Sequence, residues 1–373
     1  MKTIRIVAAD DSAMMRRLLE NMFALKGASA AVPMELCAAV PDGASCLHAV
    51  RIQRPDMVLL DLNMPGFGGM ETIVRLRREW PKLPIIMCSS ATEDGATATL
   101  DALAFGASDY VTKPFGCRSA EQAADALFSQ LAPRIMALTA KANAMPLRAE
   151  RYSDVAPGSR TKVEAVGIGV STGGPAALEE LLSRLPENIP APILIVQHMP
   201  KLFTSALATR LDHLCAIRVK QATAGAALRP GTAWIAPGDS HLEVKPGAHG
   251  LPFMVLHQGE RVNGCRPSVD VLFRSMANTF GSGAAGLVLT GMGSDGVDGA
   301  AEIVSAGGVV MAQDQASSAV WGMPGRVVSA GLADAVLPLE GMAEELMMLT
   351  RMQRGMKPVA AAPLERSVRY GNW

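Results

Sequence analysis

The stretch VEAVGIGVSTGGPAALEELLSRLP, residues 163–186, runs from an apolar strand through glycines into a helix. Ser171 lies at the centre of a G-x-S-x-G pattern that begins at Gly169 and ends at Gly173. Flanking glycines permit a tight strand-to-helix turn that exposes the serine hydroxyl, and free N–H groups at the helix start can stabilise an oxyanion. The five-residue pattern also fits a serine that only caps the helix.

A nucleotide-binding role for the same glycines fails two tests. The dinucleotide fingerprint G-x-G-x-x-G needs glycine where Thr172 stands. It also needs an acidic residue at the end of the next strand, and that strand ends in Gln197 and His198. No G-K-[ST] sequence of a P-loop is present. The pattern therefore favours a serine nucleophile.

A serine nucleophile needs a general base, and the chain has 6 histidines. His198 stands at the carboxyl end of the strand that follows the serine's helix, whereas His241 lies in a predicted return strand of a hairpin. Neighbouring parallel strands end on one rim of a sheet, so Ser171 and His198 can meet there.

The third group should be a carboxylate on the same rim. Asp295 follows a strand predicted to end at Thr290, and it can orient the imidazole or only cap the next helix. Asp298 is a weaker alternative, and the glycines around Met292 can turn its N–H toward the serine. The chain order Ser-His-Asp differs from that of α/β-hydrolases, but a triad is recognised by geometry rather than by order.

Acidic residues stand at the strand ends of the first half of the chain. Asp10 and Asp11 follow the first predicted strand, Asp61 ends the third, and Ser89 and Lys113 end the fourth and fifth. Converging carboxylates repel unless a cation lies among them, and an all-oxygen set suits Mg²⁺. A carboxylate beside Mg²⁺ and lysine can attack a phosphoryl group. Helix capping is the alternative role for these aspartates, and it fits Asp11 best.

These residues need two α/β domains to position them. Five strands alternate with helices over residues 1–118 and predict a parallel, doubly wound sheet. Residues 119–162 combine an Ala-rich helical segment, which Pro133 is predicted to break or kink, with a polar linker. Strand–helix alternation resumes over 163–350, and residues 351–373 are predicted to be disordered.

Composition excludes several classes of protein. Lys+Arg and Asp+Glu are both 35, so no basic excess indicates a nucleic-acid partner. The 6 cysteines are scattered without a C-x-x-C pair, which argues against a zinc site or disulfide framework and suits a reducing compartment. The first segment, MKTIRIVAADDS, turns acidic too early for the pattern of a signal peptide, and no apolar run approaches the length of about 20 residues that a membrane span needs. We expect a cytoplasmic protein without membrane insertion.

The segments ADDS, LLDLNMPGFGG, CSSAT and GASDYVTKPF closely resemble the receiver domain of two-component response regulators. The resemblance implies a flavodoxin-like fold with a five-stranded parallel sheet and phosphorylation by a histidine kinase. The roles it implies are Asp61 as phosphate acceptor, Asp10, Asp11 and Asp61 as the Mg²⁺ site, Ser89 and Tyr110 as the switch pair, and Lys113 as the phosphate contact.

In the second half, GVSTGGPAAL, QHMP, WIAPGDSHLEV, RPSVDVLF, LTGMGSDG and AQDQASSAVWGMP resemble the chemotaxis protein-glutamate methylesterases, the CheB family. The resemblance implies a Rossmann-like, doubly wound domain that hydrolyses glutamate γ-methyl esters on chemoreceptors, releases methanol and needs no metal. It leaves open whether receptor glutamines are also deamidated. The roles it implies are Ser171, His198 and Asp295 as the triad, with N–H groups of Thr172 and Met292 at the oxyanion.

An alternative is a phosphorylation-dependent binding regulator with an inert hydrolase-like domain. The intact serine, histidine and aspartate argue against it.

Overall fold

The computed structural model describes residues 2–90, 92–140, 162–247 and 250–351. The predicted polar linker, apart from residue 162, and the predicted disordered tail over 351–373, apart from residue 351, lie outside the described residues. Among the described helices, none combines the length and apolar character that a bilayer span needs.

The first domain is built on five parallel strands. They are β1 (Ile4–Ala9), β2 (Met34–Val40), β3 (Met57–Asp61), β4 (Ile85–Ser89) and β5 (Asp109–Thr112), in the order β2-β1-β3-β4-β5. The helices are α1 (Ala13–Met22), α2 (Gly43–Gln53), α3 (Gly69–Glu79), α4 (Glu93–Ala104) and α5 (Ala120–Ala140). Strands β1, β3 and β4 are almost wholly buried, as expected for a sheet with helices on both faces. The predicted five-stranded parallel sheet is confirmed.

Helix α5 differs from its prediction in two ways. It runs unbroken for 21 residues with Pro133 inside it. Its buried side chains, including Leu127, Leu131 and Ile135, pack in one cluster with β1, β3 and β4. Burial of each such side chain contributes about 1.5–3 kcal/mol, which offsets the cost of about 3 kcal/mol for an internal proline. The helix therefore belongs to the first domain, and the predicted boundary at residue 118 falls before it.

The second domain is built on seven parallel strands and one hairpin. Its strands are β6 (Ala165–Val170), β7 (Ile193–Gln197), β8 (Arg218–Gln221), β9 (Thr232–Ile235), β10 (His241–Lys245), β11 (Phe253–His257), β12 (Ala284–Val288), β13 (Val309–Gln313) and β14 (Ala335–Leu337). Its helices are α6 (Gly174–Ser183), α7 (Lys201–Leu214), α8 (Val269–Phe280), α9 (Val297–Ser305), α10 (Met323–Ser329) and α11 (Leu339–Arg351). The sheet order is β14-β13-β12-β6-β7-β9-β8, and β10 pairs only with β11.

The strand order of this sheet reverses direction at β6. The chain passes from β6 to β7 on one side, and it returns on the other side with β12. Ligands of doubly wound sheets bind at the carboxyl ends of the strands beside such a reversal. The loops after β6, β7 and β12 are therefore the expected site.

The two domains contact each other at this same rim. The Tyr110 ring stacks on the Phe203 ring with centroids 4.6 Å apart, and both side chains are buried. The Thr172 hydroxyl donates to Asp109 Oδ2 at 2.9 Å. Helices α4 and α7 pack together beside these contacts. The first domain thus lies directly against the residue that follows Ser171.

Candidate active site

Ser171 is held in a tight turn between β6 and α6. Its N–H donates to Thr290 O at 3.0 Å, and its carbonyl accepts from the Gln197 side chain at 3.0 Å. Gly173 has φ of 77°, in the left-handed region that favours glycine. A Cβ at position 174 would lie 2.0 Å from Gln197 Oε1. Two glycines are thus required for the chain to turn so sharply at Ser171.

His198 and Asp295 form a direct pair on the same rim. His198 N donates to Val170 O, which places the histidine beside the serine turn. His198 Nε2 lies 2.8 Å from Asp295 Oδ2. The imidazole is half-buried and the carboxylate is buried. The structure thus brings together the predicted base and acid from the ends of two different strands.

The start of α8 anchors Asp295. Its carboxylate accepts from Ser268 Oγ at 2.7 Å, from Val269 N at 2.7 Å and from Asp270 N at 3.2 Å. The free N–H groups and positive dipole end of a helix stabilise such an anion. Sequence reasoning missed this support, although the serine directly before the helical segment VDVLF was a visible capping signal.

Asp270 makes the reciprocal contact. Its Oδ1 accepts from the N–H groups of Gly296 at 2.9 Å and Gly299 at 2.7 Å, at the start of α9. Asp295, just before α9, therefore accepts from the N-terminus of α8, and Asp270, in the first turn of α8, accepts from the N-terminus of α9. This exchange fixes the loop that carries Asp295.

The pKa values describe the histidine and aspartate as an ion pair. Burial raises the pKa of Asp295, but hydrogen bonds from His198, Ser268 and Val269 outweigh burial and lower it to about 2. Burial lowers the pKa of His198, but its contacts with Asp295 and Cys265 outweigh burial and raise it to about 9. In this arrangement the imidazolium form is favoured, so the ring must release its proton before it can act as a base.

Ser171 and His198 are neighbours but share no hydrogen bond in the described part of the chain. His198 Nδ1 instead faces Cys265 Sγ at 3.9 Å. Because Asp295 occupies Nε2, Nδ1 is the nitrogen available to the serine. Catalytic hydrogen bonds are often formed only once substrate is bound.

Two backbone N–H groups are available for an oxyanion. Among the described residues, the N–H groups of Thr172 and Met292 have no hydrogen-bond acceptor. A Cβ at Gly291 would lie 2.8 Å from the Ser171 Cβ, so the loop that carries Met292 touches the serine. Both predicted donors therefore border the serine turn.

The rival residues are placed elsewhere. Asp298 is exposed in the first turn of α9 and makes no hydrogen bond among the described residues. His241 is buried in the first strand of the β10–β11 hairpin, rather than in a return strand. Its Nδ1 accepts from Ser268 N at 3.3 Å, so it supports the residue that binds Asp295.

The rim of the first domain gathers the predicted carboxylates. One oxygen from each of Asp10, Asp11 and Asp61 lies within 4.8 Å of the others. Lys113 Nζ bridges Asp10 at 2.8 Å and Asp61 at 2.9 Å, and burial raises the pKa of Asp61. This cluster of buried and exposed carboxylate oxygens is a donor set that fits Mg²⁺.

The contacts of the predicted switch residues are with groups other than these carboxylates. Ser89 Oγ donates to Gly95 O at 3.1 Å and accepts from Thr99 Oγ1 at 2.6 Å, both in α4. Tyr110 points into the domain interface against Phe203. A shift of Tyr110 would therefore directly change its contact with Phe203 in the second domain.

A sheet with acidic strand ends and a bridging lysine, joined to a second sheet that presents serine, histidine and aspartate, defines a response regulator with a hydrolase-type output domain. Family models agree with both halves: the response regulator receiver domain matches residues 6–125, and the CheB methylesterase matches residues 166–346.

Two curated relatives extend the match over almost the whole chain. Both are called protein-glutamate methylesterase/protein-glutamine glutaminase. The protein of Trichodesmium erythraeum is 42% identical over 93% of this chain and 99% of its own. That of Nocardioides sp. is 43% identical over 97% and 100%. This chain belongs to the CheB methylesterase family.

One solved structure is similar to part of the chain. The Thermotoga maritima CheB methylesterase catalytic domain is 42% identical, with a TM-score of 0.49, over 51% of this chain and 100% of that chain.

Proposed function

We propose that the chain is a phosphorylation-activated serine hydrolase that removes γ-methyl groups from glutamate side chains of chemoreceptors and releases methanol. The observation that carries the proposal is the His198–Asp295 pair, 2.8 Å apart, on the rim where the glycine turn presents Ser171. The names of the relatives supply the substrate class.

The positions of these groups support the following reaction. His198 Nδ1 accepts the Ser171 proton as Oγ attacks the ester carbonyl carbon. The N–H groups of Thr172 and Met292 stabilise the tetrahedral oxyanion. His198 then protonates the departing methoxide, and methanol leaves. Water, deprotonated by His198, hydrolyses the acyl-enzyme and releases the glutamate.

Asp295 stays ionised throughout this sequence. It accepts from the Nε2–H of His198, which fixes the tautomer and stabilises the imidazolium. Deamidation of a receptor glutamine would use the same steps with ammonia as the leaving group. The paired names of the relatives favour this second activity.

The first domain would control access to the esterase. Asp61 would accept a phosphoryl group from a chemotaxis histidine kinase, with Asp10, Asp11 and Asp61 as the ligands of Mg²⁺. Bound Mg²⁺ neutralises negative charge on the carboxylates and the phosphoryl oxygens. Lys113 would contact the phosphate, and Ser89 and Tyr110 would move toward it. Since Tyr110 is stacked on Phe203, this movement would loosen the contact that covers the Ser171 rim.

One assay tests the proposal. The full chain is mixed with methylated chemoreceptor membranes, and methanol is measured with and without a small phosphodonor. We expect methanol release that the phosphodonor increases. Binding to the receptors without any methanol release would instead support an inert, phosphorylation-dependent binding regulator.

A further inference from the structure

The fold brings a cysteine into contact with the histidine of the proposed triad. Cys265 lies in the segment before α8, and its Sγ is 3.9 Å from His198 Nδ1. One ligand atom of each of Cys265, His198 and Asp295 lies within 4.8 Å of the other two. A sulfur, an imidazole nitrogen and a carboxylate oxygen thus form one small cluster, although the three residues are far apart in sequence.

The cysteine and histidine of this cluster have the chemistry of zinc ligands. Zn²⁺ accepts thiolate, imidazole and carboxylate together, whereas Mg²⁺ prefers oxygen ligands alone. With Zn–S of about 2.3 Å and Zn–N of about 2.0 Å, tetrahedral coordination separates the two ligand atoms by about 3.5 Å. The Sγ–Nδ1 separation of 3.9 Å is close to that value.

Asp295 already provides the outer support that a zinc-bound histidine needs. It binds Nε2 at 2.8 Å, so Nδ1 is the ring nitrogen that faces the cysteine, and it offers a lone pair once its proton is released. Histidine ligands of zinc commonly donate their other N–H to a carboxylate, which fixes the ring and the tautomer. The carboxylate is itself fixed by the start of α8.

The site is open to ions from solution. His198 and Cys265 line a surface cavity of about 500 Å³. Its wall carries three cations. Arg261 and Arg266 are both paired with Asp239, which reduces their repulsion of a metal ion, and the third, Lys201, is exposed. Cys265 is half-buried, so its sulfur can be reached without unfolding.

We propose that Cys265 and His198, with Asp295 as outer support, form an inhibitory binding site for Zn²⁺ or a similar thiophilic divalent cation. Coordination occupies Nδ1, the nitrogen that would take the Ser171 proton. Binding releases the thiol proton of Cys265 and the Nδ1 proton of the His198 imidazolium to solvent, and it forms the Zn–S and Zn–N bonds without any redox change. The inhibition rests on the proposed esterase function, whereas the binding does not.

The binding test uses the full chain in excess Mg²⁺, which occupies the carboxylates of the first domain. Zn²⁺ affinity is measured by competition with a chromophoric chelator. We expect one site, and we expect Cys265→Ser to weaken it at least about tenfold, because loss of even an outer partner costs about 10–100-fold. Cys215→Ser is the matched control, since Cys215 is also half-buried in the second domain but outside the cluster, and it should bind normally. Equal affinity in Cys265→Ser and wild type would refute the site.

Two further arms separate this site from the proposed function. Ser171→Ala lacks the nucleophile and should still bind Zn²⁺ with unchanged affinity. If no form of the protein releases methanol but this binding pattern is seen, the esterase proposal fails and the metal site stands. In an active enzyme, micromolar Zn²⁺ should inhibit methanol release, and Cys265→Ser should shift the inhibition at least about tenfold to higher Zn²⁺. An unshifted inhibition curve would overturn the inhibitory role.

Discussion

The two domains place their chemistry on equivalent rims but stabilise their acids differently. In the first domain Asp10 and Asp61 share a side-chain cation, Lys113, at 2.8 and 2.9 Å. In the second domain Asp295 is stabilised by the backbone of α8 and by His198. A lysine on a flexible stem can shift when a metal ion or phosphate arrives, whereas a helix terminus cannot. The first rim is therefore suited to switching and the second to holding one geometry.

The largest effect should come from removing the nucleophile. Ser171→Ala should cut methanol release at least about a thousandfold while the protein stays folded. His198→Ala should behave likewise. His241→Ala should keep most activity, because His241 contacts Ser268 rather than the serine turn. Steady-state assays with circular dichroism check all three, and a reversed order of the two histidines would contradict the choice of base.

The rim of the second domain is tested next by removing the charge of Asp295. Asp295→Asn should lower turnover at least about a hundredfold, since a neutral amide no longer stabilises the imidazolium. The amide also places a donor opposite donors of α8, so the protein should fold with a free energy of unfolding lower by about 1–3 kcal/mol. Asp298→Asn is the control, and both its turnover and its stability should stay near wild type. A comparable loss of turnover at 298 would favour a capping role for Asp295.

The switching rim is tested through Asp61. Asp61→Ala should abolish activation by a phosphodonor and leave basal methanol release unchanged. We call the form in which the first domain covers the Ser171 rim the closed form. A truncated chain that begins at residue 162 should be about tenfold more active than the unphosphorylated full chain, which corresponds to a closed form favoured by about 1.4 kcal/mol over the open form. If truncation brings no gain, docking of the first domain does not inhibit the esterase, and phosphorylation must act by another route.

Ser268 offers a graded test of the helix support. Ser268→Ala removes one of the hydrogen bonds to Asp295 and leaves the two backbone donors in place. A loss of about 1.4 kcal/mol would lower kcat about tenfold. Phosphorylation of Asp61 should be unaffected, because the two rims use separate residues. An unchanged kcat would show that the backbone of α8 alone positions Asp295.

The smallest effect should arise at the contact between the rims. Asp109 accepts from Thr172 at 2.9 Å and from Arg134 at 3.1 Å. Asp109→Asn should weaken the closed form by about 1 kcal/mol and raise basal activity about fivefold. Basal rates without a phosphodonor measure this, and Asp101→Asn at the Arg210 ion pair provides a comparison on the same interface. A lower basal rate in Asp109→Asn would mean that the contact supports catalysis.

Sequence patterns predicted those parts of the molecule in which the polar or charged residues of a site stand at the end of a strand or directly after it. The acidic rim and the serine turn are of this kind, because β1, β3 and β6 each lead directly into the residues predicted for the site. The helix support of Asp295 could not be predicted from local sequence, since it depends on α8 lying across the rim. The contact of Cys265 with His198 is also a product of tertiary packing, and scattered cysteines give no spacing signal.

Predicted element boundaries were wrong where side-chain hydrogen bonds or burial, rather than the local sequence, determine where an element ends. Strand β12 ends at Val288 rather than Thr290, because the Thr290 N–H donates to the Gln313 side chain at 2.7 Å. Helix α5 continues through Pro133 because its apolar stripe packs on the first sheet. Both errors come from interactions that lie outside a local sequence window.

The exchange of aspartates between α8 and α9 couples substitutions at the proposed site to the stability of the fold. Asp270 and Asp295 each satisfy the N-terminus of the other's helix, so a substitution at one position changes the cost of substitution at the other. A substitution at residue 295 that changes the basicity of His198 also removes acceptors from the N–H groups at the start of α8. Heat inactivation and loss of secondary structure should therefore coincide, and selection would act on the two positions as a single character.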